Sequence, residues 1–270
     1  MRRATFAFAL AAAGVTALLG SGPASAGSAW DEIRAGVFAN RPIADAGDAI
    51  RLTAPNRPTD QRAVPIEVEA QFADGRSVRS VTLIVDENPT PLAAQFDIGG
   101  KREHVRLATT LRLNAGTDVR AIVEASDGQL YMADRYVKFA GGQAACSAPP
   151  SGSPEQIAAN MGKMTFEPIG KREAATQIEP RARLKISHPN HTGMVLDQLT
   201  LLYVPLRIIT GLEVRQGDER VFAMKGSIAL SQDPVVEFDY RTNGAESLHV
   251  EATDSAGAAW ARDFPVGQGS

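Results

Sequence analysis

Cys146 is the residue whose type and setting point most directly to chemistry. It is the only cysteine among 270 residues, so an intramolecular disulfide and a cysteine-rich zinc site are both excluded. Gly141, Gly142, Ala144 and Ala145 precede it, and side chains this small neither bury a sulfur atom nor block a partner from reaching it. A thiolate is a strong nucleophile towards sulfur. The sequence therefore predicts a solvent-accessible thiol that carries a small sulfur-containing or other thiol-reactive cargo, with an incidental linker cysteine as the alternative.

His188 and His191 have the His-x-x-His spacing of some metal sites. Two imidazoles are too few for a zinc site without further ligands, and Pro189 directly follows the first histidine. We therefore expect a structural turn with no bound transition metal. Asn190, His191 and Thr192 also form a glycosylation sequon, to which we give little weight because the sequence does not establish a glycosylating host.

The sequence lacks the common motifs of enzymes. It contains no Gly-x-Gly-x-x-Gly, no phosphate-binding loop, no His-Glu-x-x-His and no Gly-x-Ser-x-Gly. The 28 Lys and Arg residues against 31 Asp and Glu give a net charge of −3, without the basic excess typical of nucleic-acid-binding domains. We expect a protein that is not an enzyme, holds no cofactor and binds no nucleic acid.

The first 26 residues have the pattern of a secretory signal peptide. Arg2 and Arg3 precede an uncharged apolar run over residues 4–19, and Ala24-Ser25-Ala26 resembles a cleavage site. The run is too short to cross a bilayer, which argues against the alternative of an N-terminal membrane anchor. The arginine pair permits twin-arginine export and leaves the general secretory route open. We expect a mature protein outside the cytoplasm that does not associate with membranes.

Apolar and polar residues alternate along many short stretches, which is the pattern of half-buried β-strands. A short helix over residues 30–40 comes first, with Ile33, Val37 and Phe38 expected on its buried face. Gly- and Asn-containing turn signals separate the stretches. The predicted strands cover residues 64–70, 80–85, 105–113, 117–125, 130–139, 181–187, 208–215, 220–224, 235–240, 247–253 and 258–264, with a helical turn over 155–161.

The composition changes after residue 140. Residues 141–154 are rich in Gly, Ala, Ser and Pro and lack large apolar side chains, so we interpret them as flexible. The sequence therefore predicts an all-β protein of two β-sandwich domains joined by this linker. The predicted organisation is a signal peptide over 1–26, an N-terminal helical segment over 27–60, a first sandwich over 61–140, a flexible arm and linker bearing Cys146 over 141–180, and a second sandwich over 181–270.

Several motifs, in this order, resemble the SoxYZ sulfur carrier of periplasmic sulfur oxidation, with both subunits fused in one chain. The SoxY-like half contains Val64-Pro65-Ile66, Val-Asp-Glu-Asn-Pro-Thr-Pro over 85–91 and Ala-Ser-Asp-Gly-Gln-Leu-Tyr over 125–131. The last predicted strand of this half ends just before Gly141-Gly142 and Cys146. The SoxZ-like half contains Ile-Ser-His-Pro-Asn-His-Thr-Gly over 186–193. Residues 30–43 are similar to the N-terminal segment of fused carriers found beside quinoprotein dehydrogenase systems.

The resemblance implies two immunoglobulin-like sandwiches that pair within the chain. It also implies that Cys146 carries pathway intermediates covalently while partner enzymes load, oxidise and hydrolyse the attached sulfur. The implied partners are periplasmic redox enzymes, either Sox cytochromes or a quinoprotein dehydrogenase system. An unpaired exported thiol is also expected to favour a disulfide-linked homodimer. The residues expected to form the flexible arm are Gly141, Gly142, Gln143, Ala144, Ala145 and Ser147.

The arm departs from the family's usual Gly-Gly-Cys ending. Gln143-Ala144-Ala145 separates the glycines from Cys146, and the chain continues through Ser147 into the second domain. We therefore expect an arm anchored at both ends, which moves as a loop and not as a free tail. The alternative function is a non-covalent binding or scaffold module for a periplasmic dehydrogenase, which would work without Cys146.

Overall fold

Two β-sheets packed against a shared hydrophobic core form the body of the chain. The structure, a computed structural model, describes residues 26–39, 41–139, 141, 144–169 and 179–266. The helices are α1 (Ala26–Phe38) and α2 (Pro154–Asn160). The strands are β1 (Ile43–Asp45), β2 (Ile50–Thr53), β3 (Val64–Gln71), β4 (Val78–Val85), β5 (Leu92–Ile98), β6 (His104–Leu111), β7 (Thr117–Ala125), β8 (Leu130–Val137), β9 (Met164–Ile169), β10 (Arg181–Ile186), β11 (Ile209–Gln216), β12 (Glu219–Gly226), β13 (Val235–Asp239), β14 (Ser247–Asp254) and β15 (Ala259–Pro265).

Both sheets run through both halves of the chain. The larger sheet has the order β1-β8-β7-β4-β5-β12-β11-β14-β15, and the smaller has the order β2-β3-β6-β13-β10-β9. The halves join where β5 pairs with β12 and β6 pairs with β13, both antiparallel. The all-β, two-domain prediction is confirmed, and the domains pair by extending each other's sheets.

The alternation of apolar side chains explains how the strands form this core. In β3, Val64, Ile66 and Val68 are buried, whereas Pro65 is exposed and Glu67 is partly exposed. Since successive strand side chains point to opposite faces, one face of β3 lies against the core and the other against solvent. Val64, Ile66 and Val68 belong to one cluster of buried residues that includes residues of both halves.

Aromatic side chains pack against each other at the junction between the halves. The ring centroids of Phe96 in β5 and Phe222 in β12 lie 5.8 Å apart, and those of Phe222 and Phe238 in β13 lie 5.1 Å apart. All three side chains are fully buried. Aromatic pairs at these separations add to the stability gained from burial alone, so the junction is part of the core.

The N-terminal segment differs from its prediction. Helix α1 is confirmed, but Phe38 is buried with Ile84 whereas Val37 is exposed. The region 27–60, predicted as helical, also contains β1 and β2, which add to the two sheets. The signal-peptide prediction falls on residues 1–26, which lie outside the described residues except for Ala26. No helix in the described part of the chain has the length and apolar character needed to cross a membrane.

The region 141–180, predicted as a flexible linker, contains regular structure. Ser153 caps α2 by accepting a hydrogen bond from the backbone N–H of Gln156, and Pro154 occupies a first-turn position of the helix. This confirms the predicted helical turn. Strand β9 follows and pairs with β10, so part of this region belongs to the second domain. Residues 170–178 lie outside the described residues.

Candidate functional site

Cys146 is buried, and the prediction of a solvent-accessible thiol is wrong. It lies in a short 3₁₀ turn over Ala145–Ser147, and its exposed fraction is 0%. Ala145 is also buried, Ala144 is partly buried and Gly141 is exposed. The small neighbours predict an uncovered sulfur, but they instead let the turn fit against residues from distant parts of the chain. Gly142 and Gln143 lie outside the described residues.

Two side chains hold the backbone of Cys146, one from each domain. Its N–H donates to Oδ1 of Asn114, between β6 and β7, at 3.1 Å. Its carbonyl oxygen accepts a hydrogen bond from the hydroxyl of Thr192, between β10 and β11. The thiol-bearing turn is therefore fixed at the junction of the two domains by hydrogen bonds, each of which contributes about 1 kcal/mol.

A buried asparagine orders the first of these contacts. Nδ2 of Asn88 donates to the carbonyl oxygen of Arg112 at 2.7 Å, and its Oδ1 accepts from the N–H of Asn114 at 2.9 Å. Both backbone groups are thereby satisfied by one side chain. Asn88 thus orients the segment that carries Arg112 and Asn114. Asn114 binds the backbone of Cys146, and Arg112 places a positive charge near its thiol.

Arg112 places a buried positive charge near the thiol. Its side chain is 4% exposed and donates to the backbone carbonyls of Pro189, Ile228 and Leu230. No carboxylate of the described residues forms an ion pair with it. Burial lowers the pKa of Arg112 to about 10, and burial raises the pKa of the Cys146 thiol although the charge of Arg112 acts in the opposite direction. At neutral pH the buried thiol is therefore protonated and weakly nucleophilic.

His188 and Asn190 are hydrogen-bonded to each other in the segment that carries the two histidines. His188 is buried, and its Nδ1 accepts a hydrogen bond from the N–H of Asn190 at 3.0 Å. Asn190 has a φ of 45°, in the left-handed region that asparagine tolerates in turns, and it is fully buried. Among the residues that the structure describes, no three His, Cys, Asp or Glu side chains are grouped to hold a metal ion. The absence of a bound metal stays a prediction.

A cleft of about 350 Å³ opens beside the thiol-bearing turn. Sequence reasoning missed it because its walls come from segments far apart in the chain. Within it, Arg62 pairs with Asp60 at 2.9 Å and Lys185 pairs with Asp233 at 3.3 Å. The residues that line it are Asp60, Arg62, Ala63, Thr110, Arg112, Ala148, Pro149, Pro150, Ser151, Lys185, Ser231, Gln232, Asp233 and Val235.

Sequence reasoning also missed an exposed apolar loop that follows Thr192 in the chain. We name residues 196–206 the leucine loop. Thr192, four residues before its start, donates a hydrogen bond to the carbonyl oxygen of Cys146. Leu199 is 95% exposed. A cluster of exposed large apolar side chains marks an interaction surface in soluble proteins. The exposed members are Leu196, Leu199, Leu201, Leu202, Tyr203 and Leu206.

Comparisons with known proteins agree with this two-domain arrangement. Residues 34–144 match the family model described as sulfur oxidation protein SoxY, and residues 171–265 match the model described as sulphur oxidation protein SoxZ. No curated protein matches the chain.

Two solved structures resemble parts of the chain. The sulfur carrier protein SoxY from Chlorobium limicola f thiosulfatophilum is 26% identical, with a TM-score of 0.37, over 42% of this chain and 93% of that one. A superoxide reductase (neelaredoxin) from Ignicoccus hospitalis is 15% identical, with a TM-score of 0.27, over 40% of this chain and 90% of that one.

Proposed function

Since the chain belongs to the SoxYZ family of sulfur-oxidation proteins, with its SoxY and SoxZ domains fused in one polypeptide, we propose that Cys146 covalently carries sulfur-containing intermediates. In this function the protein is a periplasmic carrier and not an enzyme. Partner redox enzymes act on the attached group. The observation that carries the proposal is the position of the single thiol of the chain, held at the junction of the two domains by one side chain from each.

Loading the carrier is an oxidation. Joining the thiol to the outer sulfur of a thiosulfate ion forms one S–S bond, releases the thiol proton and removes two electrons. In this proposal a partner enzyme accepts the two electrons and thereby carries out the step. The protein's own contribution is to hold the sulfur, protect it and present it.

The buried position protects the thiol between encounters. Its raised pKa keeps it protonated, and unpaired exported thiols otherwise form intermolecular disulfides. Presentation then requires the turn to leave its two hydrogen bonds. Residues 138–153 connect β8 to α2, and a loop of this length extends up to about 25 Å when both ends stay anchored. This motion would release the thiol to solvent, where its reactivity increases.

The leucine loop supports the delivery part of the proposal. It presents apolar side chains on the SoxZ-like domain, and it starts close to the residue that binds the carbonyl of Cys146. A partner enzyme that covered these side chains would be placed next to the emerging turn. Hydrophobic burial would stabilise that encounter.

The burial of Cys146 favours a second candidate function. A thiol with no exposed surface suits a non-covalent scaffold for a periplasmic dehydrogenase, which needs no reaction at the sulfur. The two functions differ in what is bonded to Cys146 in the cell.

Mass spectrometry of the protein isolated from its native periplasm without reductant distinguishes them. The carrier function predicts a peptide containing Cys146 with the added mass of a persulfide or a thiosulfonate, and Cys146→Ser protein prepared in parallel is the control that lacks it. An unmodified thiol in every preparation, including cells grown on reduced sulfur compounds, would contradict the carrier and support the scaffold.

A further inference from the structure

The guanidinium of Arg112 is a buried cation without a carboxylate partner among the residues that the structure describes. Only 4% of the residue is exposed, and its guanidinium donates to the backbone carbonyl oxygens of Pro189, Ile228 and Leu230. Arginine is almost never this buried unless a carboxylate or another anion accompanies it. Arg102, the other arginine that is buried in the described chain, pairs with the carboxylate of Glu179. The charge of Arg112 is therefore free to attract an anion from outside the described chain.

Arg112 lines the cleft beside the thiol-bearing turn, together with two further cations. Arg62 and Lys185 each have one carboxylate partner, Asp60 and Asp233, which also line the cleft. Three positive and two negative groups leave the lining with one net positive charge. Because Arg62 and Lys185 are paired, this charge is that of Arg112.

The shape and chemistry of the cleft suit a small anion. Its volume of about 350 Å³ exceeds what one tetrahedral ion requires and leaves room for ordered water. Arginine presents several N–H groups in one plane, which matches the oxygens of sulfate-like and phosphate-like ions. The hydroxyl of Ser231, which is hydrogen-bonded to that of Thr110, and the side chain of Gln232, which is hydrogen-bonded to the backbone of Ser151, lie on the same lining.

We propose that this cleft is a non-covalent binding site for a small tetrahedral oxyanion, with Arg112 as the buried cation and Arg62 and Lys185 at its entrance. The site is distinct from the covalent attachment point, and its existence does not depend on cargo being bonded to Cys146. The oxyanion has two possible sources. It is free in solution, or it is the sulfonate end of a group attached to Cys146, which lies two residues before the lining residue Ala148.

Calorimetric titration of Cys146→Ser protein with sulfate and with thiosulfate, at low ionic strength, tests the site without covalent chemistry. We expect saturable binding of one ion for each chain, and no comparable heat with chloride. The variant Arg112→Gln should weaken binding at least tenfold. Because Arg112 also contributes to the domain junction, Lys185→Gln provides a second variant at an exposed position, where a threefold to tenfold loss is expected.

Arg183→Gln is the matched control. It lies two residues from Lys185 in β10, has a similarly exposed side chain that pairs with Glu237, and does not line the cleft. Absence of saturable binding up to 50 mM oxyanion would overturn the proposal. So would equal losses in Lys185→Gln and Arg183→Gln, because a general change of surface charge would then explain the result.

A further experiment distinguishes the two sources of the oxyanion. Treating the wild-type protein with tetrathionate joins –S–SO₃⁻ to the thiolate of Cys146 and releases thiosulfate, so that atoms and charges balance. If the attached sulfonate occupies the cleft, titration of this protein with free sulfate should show at least tenfold weaker binding than the Cys146→Ser protein. Unchanged binding would assign the cleft to free ions. Neither result tests the carrier function, which is tested separately by the mass of Cys146 peptides from the native protein.

Discussion

Oδ1 of Asn114 accepts a hydrogen bond from the backbone N–H of Cys146 at 3.1 Å, and this contact fixes the thiol-bearing turn to the SoxY-like domain. Thr192 makes the corresponding contact from the SoxZ-like domain. We expect this pair of contacts to help to keep the thiol buried, so that the loss of either contact makes the turn open more often. Opening of this kind is a local equilibrium whose free energy is lower than that of global unfolding.

Removing the Asn114 contact should therefore make the thiol more reactive. With a contribution of about 1 kcal/mol from the hydrogen bond, Asn114→Ala should increase the rate of Cys146 alkylation in the folded protein by about fivefold. Thr192→Val should act in the same direction. The measurement is the rate of labelling by an alkylating reagent, followed by mass. Thr210→Val, at a partly exposed position of β11, is the control and should leave the rate unchanged. Equal rates in all four proteins would show that these contacts do not hold the turn.

Gly99 should be essential for pairing of the domains. A Cβ atom at this position would lie 1.7 Å from the carbonyl oxygen of Arg220 in the facing domain, closer than any real contact. Gly99→Ala should therefore destabilise the protein by about 2–4 kcal/mol, which thermal unfolding measures. Gly36→Ala in α1 meets no atom within 4 Å and should be neutral or slightly stabilising. Similar midpoints for the two variants would contradict the close approach of β12 to the end of β5.

Asp239 should make the stability of the domain junction depend on pH. Burial raises the pKa of Asp239 to about 6, while the charges of His104, Arg181 and Arg102 act in the opposite direction. The folded-state pKa lies above the unfolded value near 4, so the folded protein binds more protons between these values. This contribution to stability is present at pH 4 and is lost as the pH rises through 6.

The variant Asp239→Asn tests this dependence. Relative to the wild type it should gain about 1–2 kcal/mol of stability between pH 4.5 and pH 7.5. Asp218→Asn, in an exposed turn between β11 and β12, should show no such change. Chemical denaturation at the two pH values gives the comparison, and a constant difference between wild type and Asp239→Asn would contradict the assigned cause.

The fold class could be predicted from the sequence because the alternation of apolar and polar residues is visible within a single strand. Val64, Ile66 and Val68 are enough to identify β3 and its buried face. Strand β9 was missed because it follows a stretch rich in Gly, Ser and Pro and contains Pro168, although it pairs with β10 along its whole length. In α1, spacing predicts that both Val37 and Phe38 are buried, but only Phe38 packs with Ile84 and Val37 is exposed.

The candidate site could be predicted only in part. The single cysteine was identified from its type, but its burial depends on Asn114 and Thr192, which are 32 and 46 residues away in the chain. No sequence motif around Arg112 indicates that it is buried, because its hydrogen-bond partners are backbone carbonyls beyond residue 188. Contacts of this kind are determined by how the two domains pair, which no short motif encodes.

The central claim is that function requires the sulfur atom of Cys146, and one comparison tests it most directly. Because the side chain is buried, Cys146→Ser should lower the free energy of unfolding by about 1–2 kcal/mol and leave the protein folded. Cys146→Ala controls for the buried hydroxyl. We expect both folded variants to fail to restore oxidation of reduced sulfur compounds in a strain lacking the gene, while the wild type restores it. Full restoration by either variant, at wild-type protein levels, would contradict the carrier function.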